Sequence, residues 1–118
     1  MDAHNAPRLV LEDVRRAVVV AIAPQKVEDG NVCLTLGSDD SNEYVATGAY
    51  ASRFHARIER HHNDFYLVDE STNGTYVQTE DESVRCVHRD RMRLWGSGWI
   101  GLGEPLPCTG PIHFRHSD

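Results

Sequence analysis

Turn-forming residues interrupt this chain so often that little room is left for a regular helix. Short runs rich in β-branched and aromatic residues alternate with clusters of Gly, Pro, Asn, Asp and Ser, a pattern typical of short strands joined by turns. The one window with some helical character, residues 9–22, contains Val18-Val19-Val20, and β-branched side chains favour a strand. The sequence therefore predicts an all-β protein with about ten to eleven short strands.

The predicted strands are short apolar or alternating runs bounded by turn residues. They cover residues 9–11, 17–22, 32–36, 44–46, 54–59, 65–68, 76–77, 84–87, 92–95, 99–102 and 112–115. In the run that starts at Phe54, alternation predicts that Phe54, Ala56 and Ile58 share one face and His55 lies on the other. So many closely spaced strands favour a β-sandwich of two mostly antiparallel sheets.

A chain of 118 residues is the length of one ordinary domain. We expect residues 8–116 to form a single sandwich and residues 1–7 to be a flexible N-terminal tail, because the ends of a domain are its least ordered part. We find no internal repeat.

The net charge, the longest apolar run and the cysteines limit which partners and which cellular location the protein can have. The formal net charge is −6, with twelve Lys and Arg against eighteen Asp and Glu, which argues against a nucleic-acid partner. The longest apolar run, residues 17–23, is far below the roughly 20 residues that span a bilayer, so we expect no membrane association. Three scattered cysteines suit a reducing compartment, and we expect a cytoplasmic protein.

Two motifs at strand boundaries carry the functional signal. They are Ser52-Arg53-Phe54-His55-Ala56 and Asp69-Glu70-Ser71-Thr72-Asn73-Gly74-Thr75. A hydroxyl, a guanidinium and a Thr-Asn-Gly turn supply donors for a phosphate and for the peptide backbone that carries it. A structural alternative stays open, in which the first motif is the start of a strand and the second is a tight hairpin turn.

Together with Leu34-Thr35-Leu36-Gly37-Ser38 and the closing strands to Gly103, these motifs resemble the forkhead-associated (FHA) domain over residues 32–103. The resemblance implies an FHA/SMAD-like sandwich that binds a phosphothreonine-containing protein or peptide. It implies that Ser52 binds the phosphate, that His55 braces the site from beneath and that Asn73 holds the ligand backbone. Thr72 would form the wall that receives the threonine methyl, and Arg53 is the cation beside the phosphate. Gly37 and Gly74 would be scaffold residues.

One position departs from the family pattern. The family has an arginine where this chain has Ser38, and that arginine contacts both phosphate and peptide. We therefore expect phosphate recognition to be weakened. Asp39, Asp40 and Glu43 add negative charge nearby, an effect that salt screens.

The sequence gives little support to dinucleotide binding, metal binding or catalysis. The run Gly96-Ser97-Gly98-Trp99-Ile100-Gly101 fits a dinucleotide fingerprint, but that loop must lead into a helix, and a β-hairpin turn is predicted here instead. The histidines lack ligand spacing with cysteine or carboxylate, so no metal site is predicted. Ser52 has no base and orienting group in a triad pattern, so the sequence predicts a non-catalytic protein with no cofactor.

Residues 92–103, which begin at Met92, and residues 111–115 also resemble the end of FHA domains fused behind bacterial class III nucleotide cyclases. This resemblance would make the chain a regulatory fragment of a larger protein. The alternative to a phosphothreonine reader is an FHA-fold dimerisation or regulatory domain that no longer binds phosphate. The missing arginine, the net charge and the candidate exposed Trp95 and Trp99 favour that alternative, which would act through self-association.

Overall fold

The computed structural model describes residues 8–13, 18–22, 31–62, 64–107 and 111–117. These residues form eleven strands. In chain order they are β1 (Arg8–Asp13), β2 (Val18–Ile22), β3 (Asn31–Gly37), β4 (Tyr44–Val45), β5 (Ala56–His61), β6 (Asp64–Asp69), β7 (Thr75–Thr79), β8 (Val84–Val87), β9 (Arg91–Leu94), β10 (Ser97–Leu102) and β11 (Ile112–Ser117). The predicted tail, residues 1–7, lies outside the described residues.

The strands form two sheets. One has six strands in the order β2-β1-β11-β10-β7-β8, and the other has five in the order β4-β3-β5-β6-β9. The β3–β4 pair is parallel, and the strands are otherwise paired antiparallel. The predicted all-β fold with two mostly antiparallel sheets is confirmed. The part of the chain that the structure describes contains no helix long and apolar enough to cross a membrane.

The core lies between the sheets and takes alternate residues from each strand. In β6, Phe65 and Leu67 are fully buried while Tyr66 and Val68 are half-buried. The largest apolar side chains that are almost completely buried come from both sheets. They are Phe65, Phe114, Leu9, Leu36, Ile58, Leu67, Leu94, Ile100, Ile112, Val77 and Val87.

The prediction for Phe54 and His55 is wrong. Phe54 is 57% exposed, whereas His55 is fully buried. Strand β5 begins only at Ala56, and the residues before it form a turn, in which the alternation of a strand does not hold. The chain therefore turns His55 inward and leaves Phe54 in solvent.

Two predicted hairpin turns are also corrected. Strands β6 and β7, on either side of Thr72-Asn73-Gly74, lie in different sheets. The same is true of β9 and β10, on either side of Trp95 and Gly96. Both connections therefore carry the chain across the sandwich instead of folding it back in one sheet, because turn chemistry alone does not decide which strands pair. As expected, a strand and not a helix follows Gly96.

The predicted strand boundaries differ from the observed ones by at most two residues. Strand β8 has its predicted bounds, whereas β1 extends to Asp13, two residues beyond its predicted end. The sequence also predicts turns at residues 12–16, at Pro24 and at residues 28–31. Strands β1 and β2 pair antiparallel, and residues 14–17, Pro24 and residues 28–30 lie outside the described residues.

The register brings the ends of several strands to one pole of the sandwich. In the five-stranded sheet Ala56 is opposite both Leu36 and Asp69. In the six-stranded sheet Thr75 is opposite Leu102 and Val87. The loops 38–43, 46–55, 70–74 and 103–107 therefore meet at this pole, and we call it the site pole. Rigid strands that present loops in this way are a common support for binding sites.

Candidate functional site

Two loops that are twenty residues apart in sequence join at the site pole. The backbone N–H of Thr72 donates to the Ser52 hydroxyl oxygen at 3.1 Å. Asn73 Nδ2 donates to the carbonyl oxygen of Tyr50 at 3.1 Å. Thr72 and Asn73 are exposed and Ser52 is half-buried. No described residue accepts the Ser52 hydroxyl proton or donates to Asn73 Oδ1, so both groups are available to a ligand.

A third loop is hydrogen-bonded to the same rim. The N–H of Ser38 donates to the carbonyl oxygen of Ser52 at 3.0 Å, and that of Asp39 donates to the Arg53 carbonyl at 3.1 Å. A Cβ at Gly37 would overlap the Arg53 carbonyl oxygen, so the close approach of the two backbones requires glycine. This contact places Ser38 beside Ser52.

His55 lies beneath the rim and joins the loops from inside. Its Nδ1 accepts the N–H of Ser52 at 3.0 Å, so the ring proton is on Nε2, which is 2.9 Å from the Gly74 carbonyl oxygen. Burial lowers the pKa of His55 below its ordinary 6.5, although the Gly74 carbonyl and the Asp69 carboxylate oppose this effect. The neutral imidazole is thus the form that fits the site.

Asp69, which the sequence analysis did not single out, is a second buried support. Its Oδ1 accepts the hydroxyls of Ser71 at 2.7 Å and Thr75 at 2.6 Å. Its Oδ2 accepts the N–H groups of Arg89 at 2.8 Å and Ser71 at 3.0 Å. Burial alone would raise the pKa of Asp69, but these hydrogen bonds outweigh it and hold the pKa below its ordinary value. An ionised carboxylate therefore fixes the start of the 70–74 loop.

Gly74 closes that loop. Its N–H donates to the Ser71 hydroxyl at 2.7 Å, and its carbonyl accepts the N–H of Gly103 at 2.9 Å. The φ of Gly74 is +88°, and a Cβ there would lie 2.7 Å from the Cys86 sulfur. Both facts require glycine. The loop is therefore held by contacts from both sheets.

Two arginines lie near the rim, and their environments differ. Arg57 is paired, with Nε 2.6 Å from Glu59 and NH1 2.8 Å from Glu70. Arg53 is exposed, and within the described residues its guanidinium has no hydrogen bond or ion pair. Its charge is felt by Asp39, whose pKa is lowered mainly by hydrogen bonds from Ser41 and to a smaller degree by Arg53. Arg53 is thus an available cation beside Ser52.

The structure brings together the residues that the sequence analysis selected, from Gly37 and Ser38 to Gly74, at one pole. Three polar supports had no role assigned from the sequence: the Tyr50 carbonyl, Asp69 and Ser71. For Asp69 and Ser71 the available signal was their position next to a turn, which is typical of side chains that bind nearby backbone. The backbone carbonyl of Tyr50 has no sequence signal. No group of three or more potential metal ligands occurs among the described residues.

Comparisons with known proteins agree with this geometry. The FHA domain-containing protein FhaB of Mycolicibacterium smegmatis is 38% identical over 97 residues, a match that covers 79% of this chain and 55% of that protein. The chain thus spans about half the length of this curated relative.

Solved structures share the fold. The crystal structure of Mycobacterium tuberculosis Rv1747 FHA-1 gives a TM-score of 0.69 at 16% identity, covering 96% of this chain and 99% of that chain. The N-terminal FHA domain of S. cerevisiae Rad53p, in complex with a phosphothreonine peptide, gives 0.66 at 15% identity and covers 92% and 90%. At these identities the likeness concerns the fold alone.

The family model of the FHA domain matches residues 34–94. This region contains Gly37, where two backbones come close together, and the turn that holds Ser52 and His55. It also contains residues 72–74, where the chain crosses from one sheet to the other. The chain therefore belongs to the FHA domain family.

Proposed function

We propose that this chain is a non-catalytic module that binds phosphothreonine peptides and so mediates protein–protein interaction in signalling. One observation carries the proposal: the Ser52 hydroxyl and the Thr72 N–H are in contact at 3.1 Å, on a rim that also presents Asn73. The Rad53p domain that shares this fold is in complex with a phosphothreonine peptide, which supports the same ligand class here.

Each rim residue has a role that its chemistry supports. A phosphothreonine carries about −1.5 to −2 charges and several strong acceptor oxygens. The Ser52 hydroxyl would donate to a phosphate oxygen, and Arg53 would supply the positive charge. Asn73 would bind the peptide backbone, and Thr72 would contact the threonine methyl. His55, Gly37 and Gly74 would keep these groups in place without touching the ligand.

Phosphate binding is expected to be weak, because Ser38 has no guanidinium. A hydrogen bond between charged groups contributes about 1.5–3 kcal/mol, so its loss lowers affinity roughly 10- to 150-fold. The neighbouring Asp39 and Asp40 add repulsion that salt reduces.

The test is a titration of the chain with a phosphothreonine peptide and with the same peptide unphosphorylated, followed by fluorescence anisotropy. We expect binding only to the phosphorylated form, and its loss in Ser52→Ala. The control is Ser83→Ala, which removes an exposed hydroxyl in the β7–β8 turn and should leave the affinity unchanged. Equal binding of both peptides, or none to either, would overturn the proposal.

A second function is favoured by two exposed aromatic residues. Trp95 is 54% exposed and Trp99 is 36% exposed, and large exposed aromatics are common at protein interfaces. A self-associating regulatory domain, such as one attached to a nucleotide cyclase, would use one or both of these side chains at its interface. A molecular mass that rises with concentration in sedimentation, together with no phosphopeptide binding, would favour this function over the first.

We place either activity in the cytoplasm. Among the described residues, Cys86 is an exposed free thiol, which is the usual state in a reducing compartment.

A further inference from the structure

Strand β8 is an edge of the six-stranded sheet, where it pairs with β7. No other described strand lies along its outer side. At the start of this pair the N–H of Thr79 donates to the Ser83 carbonyl oxygen at 3.1 Å. Because the backbone direction alternates along an antiparallel strand, the N–H and C=O groups of Val84 and Cys86 point away from β7. The outer side of β8 therefore offers backbone donors and acceptors to another strand.

The neighbouring edge of the five-stranded sheet, strand β9, is protected by charge. The N–H of Asp69 donates to the Asp90 carbonyl oxygen at 2.9 Å, so the same alternation directs the backbone groups of Arg91 and Arg93 outward. Both arginines are exposed. Charged side chains on an edge strand discourage pairing with a further strand, so β9 is a poor place for one.

Strand β8 has little of this protection. The residues with outward backbone groups are Val84, which is 48% exposed, and Cys86, which is exposed and uncharged. Arg85 lies on the other face of the strand, opposite the buried Val77. Its guanidinium is 3.8 Å from the Asp90 carboxylate, which balances part of its charge. Of these two edges, β8 is therefore the one that is open to pairing.

Charges of opposite sign lie at the two ends of this edge. Residues 80–82, just before β8, are Glu, Asp and Glu. Within and after β8 come Arg85, Arg89 and Arg91, with one carboxylate among them, that of Asp90. If two copies of this edge run antiparallel, the acidic end of each lies beside the basic end of the other, whereas a parallel pair places like charges together. The edge is thus complementary to a second copy of itself in the antiparallel direction.

The register follows from the residues that have outward backbone groups. These must face each other across a two-fold axis, so the axis lies beside Val84, Arg85 or Cys86. An axis at Arg85 would place this residue directly opposite Arg85 of the second copy, which is unfavourable. An axis at Val84 would need Glu82 in an extended conformation, but its φ is positive, 68°. An axis at Cys86 brings Val84 opposite His88 of the second copy and uses the whole strand.

We propose that two copies of this chain pair antiparallel along β8, about a two-fold axis beside Cys86, and thereby join their six-stranded sheets. The main-chain hydrogen bonds of an added strand supply the binding energy, and the contact is the same on both copies. The site poles of the two copies then face in opposite directions, so that one pair would present two ligand sites on opposite sides. The pairing needs no ligand, and it does not depend on the proposed function.

The main experiment measures the mass of the full chain by sedimentation from micromolar to millimolar concentration. Val84→Pro removes an outward N–H and keeps the pairing with β7, since proline is tolerated at the start of an edge strand. We expect a dimer for the native chain and a dissociation constant at least roughly tenfold higher for Val84→Pro. Val84→Lys should also weaken the dimer. Its matched control is Val32→Lys, at an equally exposed position, 48%, in the other sheet, and urea denaturation verifies that each variant is folded.

A second experiment tests the axis. In the double variant Cys33→Ser, Cys108→Ser the remaining thiol is Cys86, and directly paired residues have Cα atoms about 5.5 Å apart. We expect a short bis-maleimide to link two copies, and Val84→Pro to prevent the link. A single-copy mass at every concentration would overturn the proposal, as would a dimer that persists in Val84→Pro, which would indicate another surface, such as that of Trp95. A dimer that Val84→Pro dissociates but that shows no link would overturn the Cys86 axis.

Discussion

The imidazole Nδ1 of His55 accepts the backbone N–H of Ser52 at 3.0 Å, and this bond positions the hydroxyl at the centre of the rim. The bond exists only while Nδ1 carries no proton. Protonation would place two N–H groups face to face and would add a charge to a fully buried side chain. The proposed binding site therefore depends on the protonation state of a residue that no ligand touches.

The first prediction is a loss of stability as the pH falls below about 6.5, the ordinary pKa of histidine. Burial lowers the pKa of folded His55 below 6.5, so as the pH falls the unfolded chain takes up the proton first. The stability that His55 contributes is thus fully present above its unfolded pKa and is lost as the pH decreases towards its folded pKa. Urea denaturation at a series of pH values measures it. His55→Gln should flatten the curve, whereas His88→Gln, an exposed residue, should not.

The second prediction concerns Gly37. In Gly37→Ala the new methyl group would overlap the Arg53 carbonyl oxygen, and the two backbones must separate. We expect a loss of about 1–3 kcal/mol of unfolding free energy and weaker phosphopeptide binding. Gly48→Ala is the matched control, because the nearest atom to its new Cβ is a Glu104 oxygen at 3.6 Å, an ordinary contact. Equal effects of the two substitutions would contradict the close approach at Gly37.

The third prediction concerns Asp69. Asp69→Ala leaves the buried hydroxyls of Ser71 and Thr75 without their acceptor, and an unsatisfied buried polar group costs about 1–3 kcal/mol. We expect a loss of roughly 3 kcal/mol or more, measured by urea denaturation. Asp40→Ala, at an exposed position, should change stability by less than about 0.5 kcal/mol. Since hydrogen bonds hold the Asp69 pKa below its ordinary 3.8, its contribution should be lost only as the pH falls below that value.

The fourth prediction tests the unusual Ser38. In Ser38→Arg a guanidinium would again face the phosphate beside Ser52, and we expect phosphopeptide affinity to rise about 10- to 150-fold. Ser38→Lys restores the charge without the planar fork, so its gain should be smaller. Calorimetric titration of one phosphothreonine peptide into both variants makes the comparison. No gain from either substitution would mean that the ligand does not pass over Ser38.

The strands were predictable from the sequence because strand formation here depends on neighbouring residues: a short apolar run with turn residues on both sides. Strand β8, Val84–Val87, is bounded by an acidic loop and a polar turn, and it has its predicted limits. The choice of sheet was not predictable, because the same Asn73-Gly74 turn chemistry serves a hairpin and a crossing equally well. That choice depends on which apolar faces pack together across the core.

The selection of site residues followed from side-chain chemistry near two turns and from the family resemblance. Alternation predicted the wrong direction for His55, because alternation fails in the turn before Ala56, and only the family resemblance implied an inward histidine. The contact between Asp69 and Arg89 was not predictable from the sequence. Their contact runs through a backbone N–H of Arg89, and backbone donors have no signature in a sequence.

The crossing at residues 70–74 gives the site pole a mechanical role. The Gly74 carbonyl accepts one hydrogen bond from His55 and another from Gly103, so it links the two sheets at the point where a ligand would lie. A peptide bound here would oppose separation of the two sheets. Its arrival should slow hydrogen exchange in amides of both layers, far beyond the atoms it contacts.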